Sequence, residues 1–381
     1  MRLFVLILPL LLTACAAPAP VITPEPEEPE ETGPAFTALR LQGEVIAGDE
    51  GTVMQGVQAV RGVFAGPVET LFALSTGDST HLYSTSAPEA PVYGVAGDAV
   101  FTVAWAADGT SAGVGHYLPA GEASQGRERM GAGDILVYAA GAVSRVGCSA
   151  SRAVLAWSSD GGLLVRNTDN LYVVDRDGCD TRATVDARRM LRLTVSPNAR
   201  HLAFVHRELE YDRASRSYVA DSTFRLTDLD GGNPKTIVSF RYRPERLAWR
   251  PDGLELAFDV QASDDAGRAI SIFDVASGTT AFLHPPASDR DEWAPHWSPD
   301  AARIAYYRGS EPADRAIWVR TFSSSFPEGL PDSEGAEIAA WVDADALMYF
   351  SAEGALRVYD FRTRQTTDLG PADAVIEARR R

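Results

Sequence analysis

The stretch HWSPDAARIAYY, residues 296–307, is the third and clearest appearance of a pattern already written as TVSPNARHLAFV (194–205) and AWRPDGLELAFD (248–259). Each has an apolar or aromatic anchor, a turn with Asp or Asn behind a proline, and then a short apolar run. Fainter copies are AWAADGTSAGVG (104–115), AWSSDGGLLVRN (156–167) and AWVDADALMYF (340–350). Pro251 and Pro299 preset φ for the second position of a type I turn, and Asp-Gly suits its exit. Strands must therefore flank the turn. Runs such as LAFV, LAFD and IAYY suit a strand buried on both faces.

The anchors Trp105, Trp157, Val195, Trp249, Trp297 and Trp341 follow one another at intervals of 52, 38, 54, 48 and 44 residues. That is the 40–50 residue period of four-stranded propeller blades. After the apolar run a second strand segment recurs (NLYVVD, TFRLTD, AISIFD, AIWVRT, ALRVYD), and Asp/Gly turns then lead to a last strand. Four short antiparallel strands cannot bury both faces alone. Radial stacking into a ring buries them and leaves only short edges, so the expectation is an all-β propeller. A sandwich gives no reason for six returns of one turn. Residues 60–97 divide into four strands without the aspartate signature and make a seventh blade, and residues 36–55 add one or two strands near closure. Seven blades is the leading count and six the alternative.

These repeats resemble the WD40-like propeller repeat of TolB-type proteins, with coverage from about residue 99 to 370. No helical pattern matches the small α/β domain that TolB carries before its propeller. The resemblance therefore implies the fold and leaves the TolB role open.

The amino-terminal segment reads separately. MRLFVLILPLLLTAC has one basic residue, Arg2, then an apolar run too short to span a bilayer, which needs about 20 residues. LTAC, ending at Cys15, resembles the lipobox of bacterial lipoproteins. The resemblance implies cleavage before Cys15 and acylation there, with two or three chains giving stable anchoring. Ala16 in place of aspartate implies the outer membrane, facing the periplasm, in a Gram-negative cell. Residues 15–35 are rich in Pro and Glu and cannot offset chain entropy by burial, so they read as an extended tether of up to about 60 Å. The expected organisation is a signal peptide (1–14), the lipidated cysteine with its tether (15–35), and one propeller (36–381).

The net charge of −17 and the lack of a cationic block argue against nucleic acid. No cofactor fingerprint or H-E-x-x-H metal motif is present, and the six histidines form no ligand spacing. The G-x-S-x-G string at 109–113 falls on a repeat turn, where Ser111 lacks the strand-to-helix elbow of a hydrolase. Asp175 and Asp228 open Asp/Gly turns without the glutamate of a calcium loop. Cys148 and Cys179 are disulfide candidates for an exported chain, although the strand reading puts them at opposite faces; the pairing stays open. Trp293, in what reads as a loop entering a blade, joins Arg188, Arg189, Arg241, Tyr242 and Arg243 as partner-binding candidates, since aromatic and Arg side chains dominate interface energetics. Residues 207–221 read as a long charged hairpin. The function expected is a membrane-anchored binding or scaffolding module with an envelope protein as partner. The alternative is an enzyme or saccharide-binding propeller that uses its central channel.

Overall fold

A computed structural model describes residues 36–380 except 49–50, 56, 67, 107, 124–126, 147–152, 159–160, 176–180, 213–216, 241–245, 262–266 and 310–313. Every named element among the described residues is a strand, and the strands form eight four-stranded antiparallel sheets. In chain order these are blade 1 (residues 59–96), blade 2 (100–145), blade 3 (153–186), blade 4 (190–240), blade 5 (247–282), blade 6 (291–329) and blade 7 (337–371). Blade 8 is composite. Its inner strand is Ala374–Arg380, followed outward by Phe36–Gln42, Val45–Gly48 and Gly51–Gln55.

The expected count of seven is therefore corrected to eight. Residues 60–97 do form the unsigned blade, but residues 36–55 supply three strands, and Ala374–Arg380 supplies a further one. The repeat signature cannot mark blade 8, because the turn that carries it joins strands one and two. Here those strands come from distant parts of the chain, paired Phe36 to Arg380 and Ala38 to Ala378. Gln42 Nε2 donates to the Pro371 carbonyl at 2.7 Å, and the Gly43 N–H donates to Asp373 at 2.7 Å, which clamps the join.

Eight apolar clusters each bridge two neighbouring blades, and the last pair, blades 8 and 1, closes the ring through Leu41, Ile46, Phe72, Leu74 and Ile376. The second strand of each blade serves both sides by its two-residue period. In blade 4, Leu202 and Phe204 face blade 3 while Ala203 and Val205 face blade 5. Blade 6 repeats this with Ile304 and Tyr306 against Ala305 and Tyr307. Such doubly buried strands explain the unbroken apolar runs.

The signature turn is built as its residues require. A hydrogen bond closes each four-residue turn, as from the Ala301 N–H to the Ser298 carbonyl (2.9 Å) and from Gly253 to Arg250 (2.8 Å). The turn Asp or Asn then accepts the backbone N–H two residues on: Thr110 to Asp108, Arg200 to Asn198, Leu254 to Asp252, Ala302 to Asp300 and Asp345 to Asp343. Except after Asp343, the residue that follows is left-handed, which Gly109, Gly161 and Gly253 adopt freely, whereas Ala199 (φ 51°) and Ala301 (φ 61°) adopt it at a cost.

The anchors follow a rule of their own. Each indole leans back on the preceding blade and donates its N–H to the carbonyl one residue before that blade's anchor. Trp105 bonds Phe64, Trp157 bonds Ala104, Trp297 bonds Ala248 and Trp341 bonds His296, at 3.0, 2.7, 3.1 and 3.1 Å. Trp249 departs from the rule. It follows an inner strand bulged between Leu191 and Thr194, and its buried N–H has no hydrogen-bond partner among the described residues.

Candidate functional site

Because strands alternate in direction, the signature turns and the connections from third to fourth strands share one face of the ring, the turn face. Connections from second to third strands and from blade to blade share the other, the entry face. Two entry-face hairpins outgrow their sheets. In blade 2, Ser111–Ala123 pairs with Arg127–Ala139 out to Ala123 and Arg127, although the inner strand stops pairing at Tyr117 and the outer one at Leu136. In blade 4, His201–Asp212 pairs with Ser217–Asp228 out to Asp212 and Ser217, although the flanking strands stop at His206 and Ser222. Among the described residues both projections are two-stranded ribbons that extend beyond any strand partner on either side. The Met130 N–H donates to Thr168 Oγ1 at 3.3 Å, which lays the base of the first ribbon against blade 3. The second ribbon is the hairpin expected from the sequence. The first was missed, because its Gly- and Ala-rich strands, PAGEASQGRERMGAG, lack a strand-like pattern.

On blades 5 to 7 the same face is set by ion pairs that the blades enclose. Asp259, 0% exposed, accepts the Arg246 backbone N–H at 3.0 Å and the Arg268 guanidinium at 2.6 Å, which fixes the entry into blade 5. Glu292, 2% exposed, accepts Arg308 through Nε and Nη2 at 3.1 and 2.7 Å and pairs with His284 Nδ1 at 3.1 Å. Burial pushes the Glu292 carboxyl upward, but His284 and Arg308 outweigh it and hold the group below its ordinary value. Arg308 also lies 3.9 Å from the centre of the Trp318 ring. These charges are satisfied by their neighbours, so the cluster holds the blade together.

Trp293 corrects another expectation. It stands on the inner strand Asp291–Trp297, not in a loop. A bulge between Trp293 and His296, with Ala294 at φ 52°, re-aims it. It is half-buried, packs on the blade 6 and 7 core, and lies 5.7 Å ring to ring from Tyr307, whose other flank carries Arg315 at 5.0 Å. Further along the strand, His296 is enclosed on most sides. Loss of hydration, with Arg246 nearby, lowers its pKa to about 4, so the ring is neutral at pH 7.

Arg188 and Arg189 stand exposed in the turn entering blade 4, where Arg188 forks onto its neighbour Asp186 at 2.7–3.1 Å. That pair holds the Asp186 carboxyl down at about 2. No contact joins these arginines to Trp293 among the described residues. Arg241, Tyr242 and Arg243, and likewise Cys15, Cys148 and Cys179, lie outside the described residues. Ser111 opens a strand and is buried, so no hydrolase elbow exists there. Asp228 and Asp230 serve their own turn, receiving Asn233 Nδ2 and the Gly232 N–H. No group of three His, Cys, Asp or Glu is placed to hold a metal among the described residues.

No family profile and no curated protein matches this sequence. Among solved structures, the chain is similar to dihydro-heme d1 dehydrogenase NirN in complex with DHE, with a TM-score of 0.58 and 16% identity over 91% of this chain and 74% of that one. Oligogalacturonate lyase in complex with manganese gives 0.51 and 13% identity over 83% and 85%. TolB from Acinetobacter baumannii gives 0.42 and 13% over 85% and 67%. At such identities the first two bear on the fold alone. The chain is an eight-bladed β-propeller.

Proposed function

We propose that this chain is a lipid-tethered propeller of the bacterial envelope that binds a protein partner on its entry face. The observation that carries the reading is the pair of ribbons two blades apart on one face, each projecting past its flanking strands so that its main-chain edges have no strand partner among the described residues. Such edges can accept a partner strand by backbone pairing, and extended loops of this kind on a rigid scaffold are a usual place for recognition. Acylated Cys15 and the Pro/Glu tether supply the membrane attachment, and Arg188 and Arg189 lie on a blade entry of the same face.

The test places a photo-cross-linking residue at Tyr211 or Glu122 on the ribbons, and at Asp252 or Asp300 on the turn face, in cells of the native host. Ribbon positions are expected to give a discrete protein adduct that disappears when residues 207–221 are shortened to a tight turn. Adducts from the turn face with none from the ribbons would refute the assignment. Alternatively, ligand chemistry in the channel would need charged groups converging at one mouth. Of the inner-strand arginines, Arg61, Arg192 and the pair Arg379 and Arg380 belong to three different blades, and Arg61 is paired with Asp98 at 2.8 Å.

A further inference from the structure

The ring of anchors has gaps, and two recesses of the turn face lie at gaps among the described residues. Blade 4 carries Val195 where its neighbours carry tryptophan. There a recess of 730 Å³ opens, lined by Trp105, Ala156, Trp157, Val195, Ser196 and Asn198 among others. Blade 1 carries Ala65 at the equivalent turn position, and the inner strand of blade 8, AVIEARR, has no tryptophan. A second recess of 550 Å³ lies at that point, lined by Ala65, Ala340, Trp341 and Ala378. Where the tryptophans are present, the place is filled. Trp105, for instance, packs so close on Gly66 that a Cβ there would sit 2.4 Å from the indole.

The molecule thus displays what belongs in such a seat. Four times it is an indole, edge-on to the preceding inner strand, with its N–H donated to the carbonyl before that blade's anchor. At the blade 4 gap the corresponding carbonyl is that of Ala156. The pairing of Ala156 to Leu164 and Trp157 to Leu163 repeats that of Ala104 to Gly113 and Trp105 to Ala112. Val195 packs on the blade 3 and 4 core below, too short to reach that carbonyl or fill the space. The walls are Trp157 and Leu155 on one side and Pro197 and Ala199 on the other, with Ser158 and Ser196 at the turns. An apolar cleft with one directed acceptor selects a flat apolar ring with one directed donor.

We infer that the Val195 gap is a binding seat for a small bicyclic aromatic with a ring N–H, the chemistry of indole. The ring lies against Trp157 and above Val195, and its N–H donates to the Ala156 carbonyl. The seat is on the face opposite the ribbons, so it is independent of the protein-binding reading.

The test is fluorine NMR of 5-fluoroindole titrated with the full-length protein, with 1-methyl-5-fluoroindole as the ligand that lacks the donor. For a ligand of this size a dissociation constant on the order of 0.1–1 mM is expected. The methylated ring should bind at least about tenfold more weakly. Val195→Trp and Val195→Phe should each fill the seat and abolish the broadening while melting no lower than the parent. Ala65→Trp, which fills the other gap, should leave it unchanged. Equal binding of the two rings, retained binding in both Val195 variants, loss in Ala65→Trp, or no saturable binding would each overturn the assignment.

Discussion

Trp249 and Trp297 form a matched pair that isolates the anchor hydrogen bond. They are 9% and 8% exposed, occupy the same strand position and follow the same blade design, yet Trp297 donates to the Ala248 carbonyl at 3.1 Å while the buried Trp249 N–H has no protein acceptor among the described residues. Replacing each by phenylalanine removes the same atoms, so the transfer and cavity contributions are similar and largely cancel in the comparison. What remains is the hydrogen bond. Losing it at Trp297 costs about 0.5–1.5 kcal/mol, whereas removing a buried, unbonded N–H at Trp249 recovers about 1–3 kcal/mol of desolvation. Trp297→Phe should therefore be more destabilising than Trp249→Phe by roughly 1.5–4.5 kcal/mol. Stacking of Trp297 on Phe322, 5.3 Å between centroids, can be kept by a phenyl ring and does not change the sign. Urea unfolding of the two variants, followed by circular dichroism at a common m-value, measures the difference. Equal midpoints, or a lower midpoint for Trp249→Phe, would refute the reasoning.

Arg308→Ala should destabilise the chain by about 3–5 kcal/mol, because it strips the buried Glu292 of its main partner. Chemical denaturation at pH 7 reads this directly, and in the parent the Glu292 contribution is present above the ordinary carboxylate pKa and fades as the pH falls below it. His296 acts in the same pH direction for a different reason. The unfolded imidazole takes up a proton near pH 6.5 while the folded one resists until about 4, so stability falls by about 2–3 kcal/mol across that window. His296→Phe should flatten the slope, and an NMR titration showing a charged ring at pH 6 would refute this. Ala301→Gly should stabilise by up to about 1 kcal/mol, because glycine relieves the left-handed φ of 61° at more than its own entropic cost; thermal melting checks it. Cys15→Ser should move the protein from the membrane to the soluble fraction and abolish fatty-acid labelling, and membrane retention of the unlabelled variant would refute the anchor.

The blades were legible because their turns are chemically demanding. An Asp or Asn must accept the N–H two residues on, so Asp108, Asn198, Asp252, Asp300 and Asp343 could not vary freely, and in all of these but the Asp343 turn the residue that follows is left-handed. The doubly buried second strands had to be apolar throughout. Blade 1 has a shorter turn, in which the Gly66 N–H bonds the Glu69 carbonyl, and is recognised by composition alone. Blade 8 was illegible as a unit, since pairing between residues 36–42 and 374–380 leaves no local trace. Trp293 was misplaced because a bulge is a matter of register, which residue type does not reveal. One anchor gap was visible as a letter, Val195 in a column of tryptophans; Ala65 was not, because its blade lacks the signature. That a missing indole opens a cleft beside a carbonyl no indole reaches became evident only once neighbouring blades were set side by side.

Completion of blade 8 by the segment Ala374–Arg380 also sets a schedule for assembly. Until Ala374–Arg380 has been synthesised, strands 36–55 have no inner partner and the first seven blades form an arc with two raw ends. The ring locks only when this late segment pairs, so a chain interrupted before residue 374 leaves both ends of the arc open.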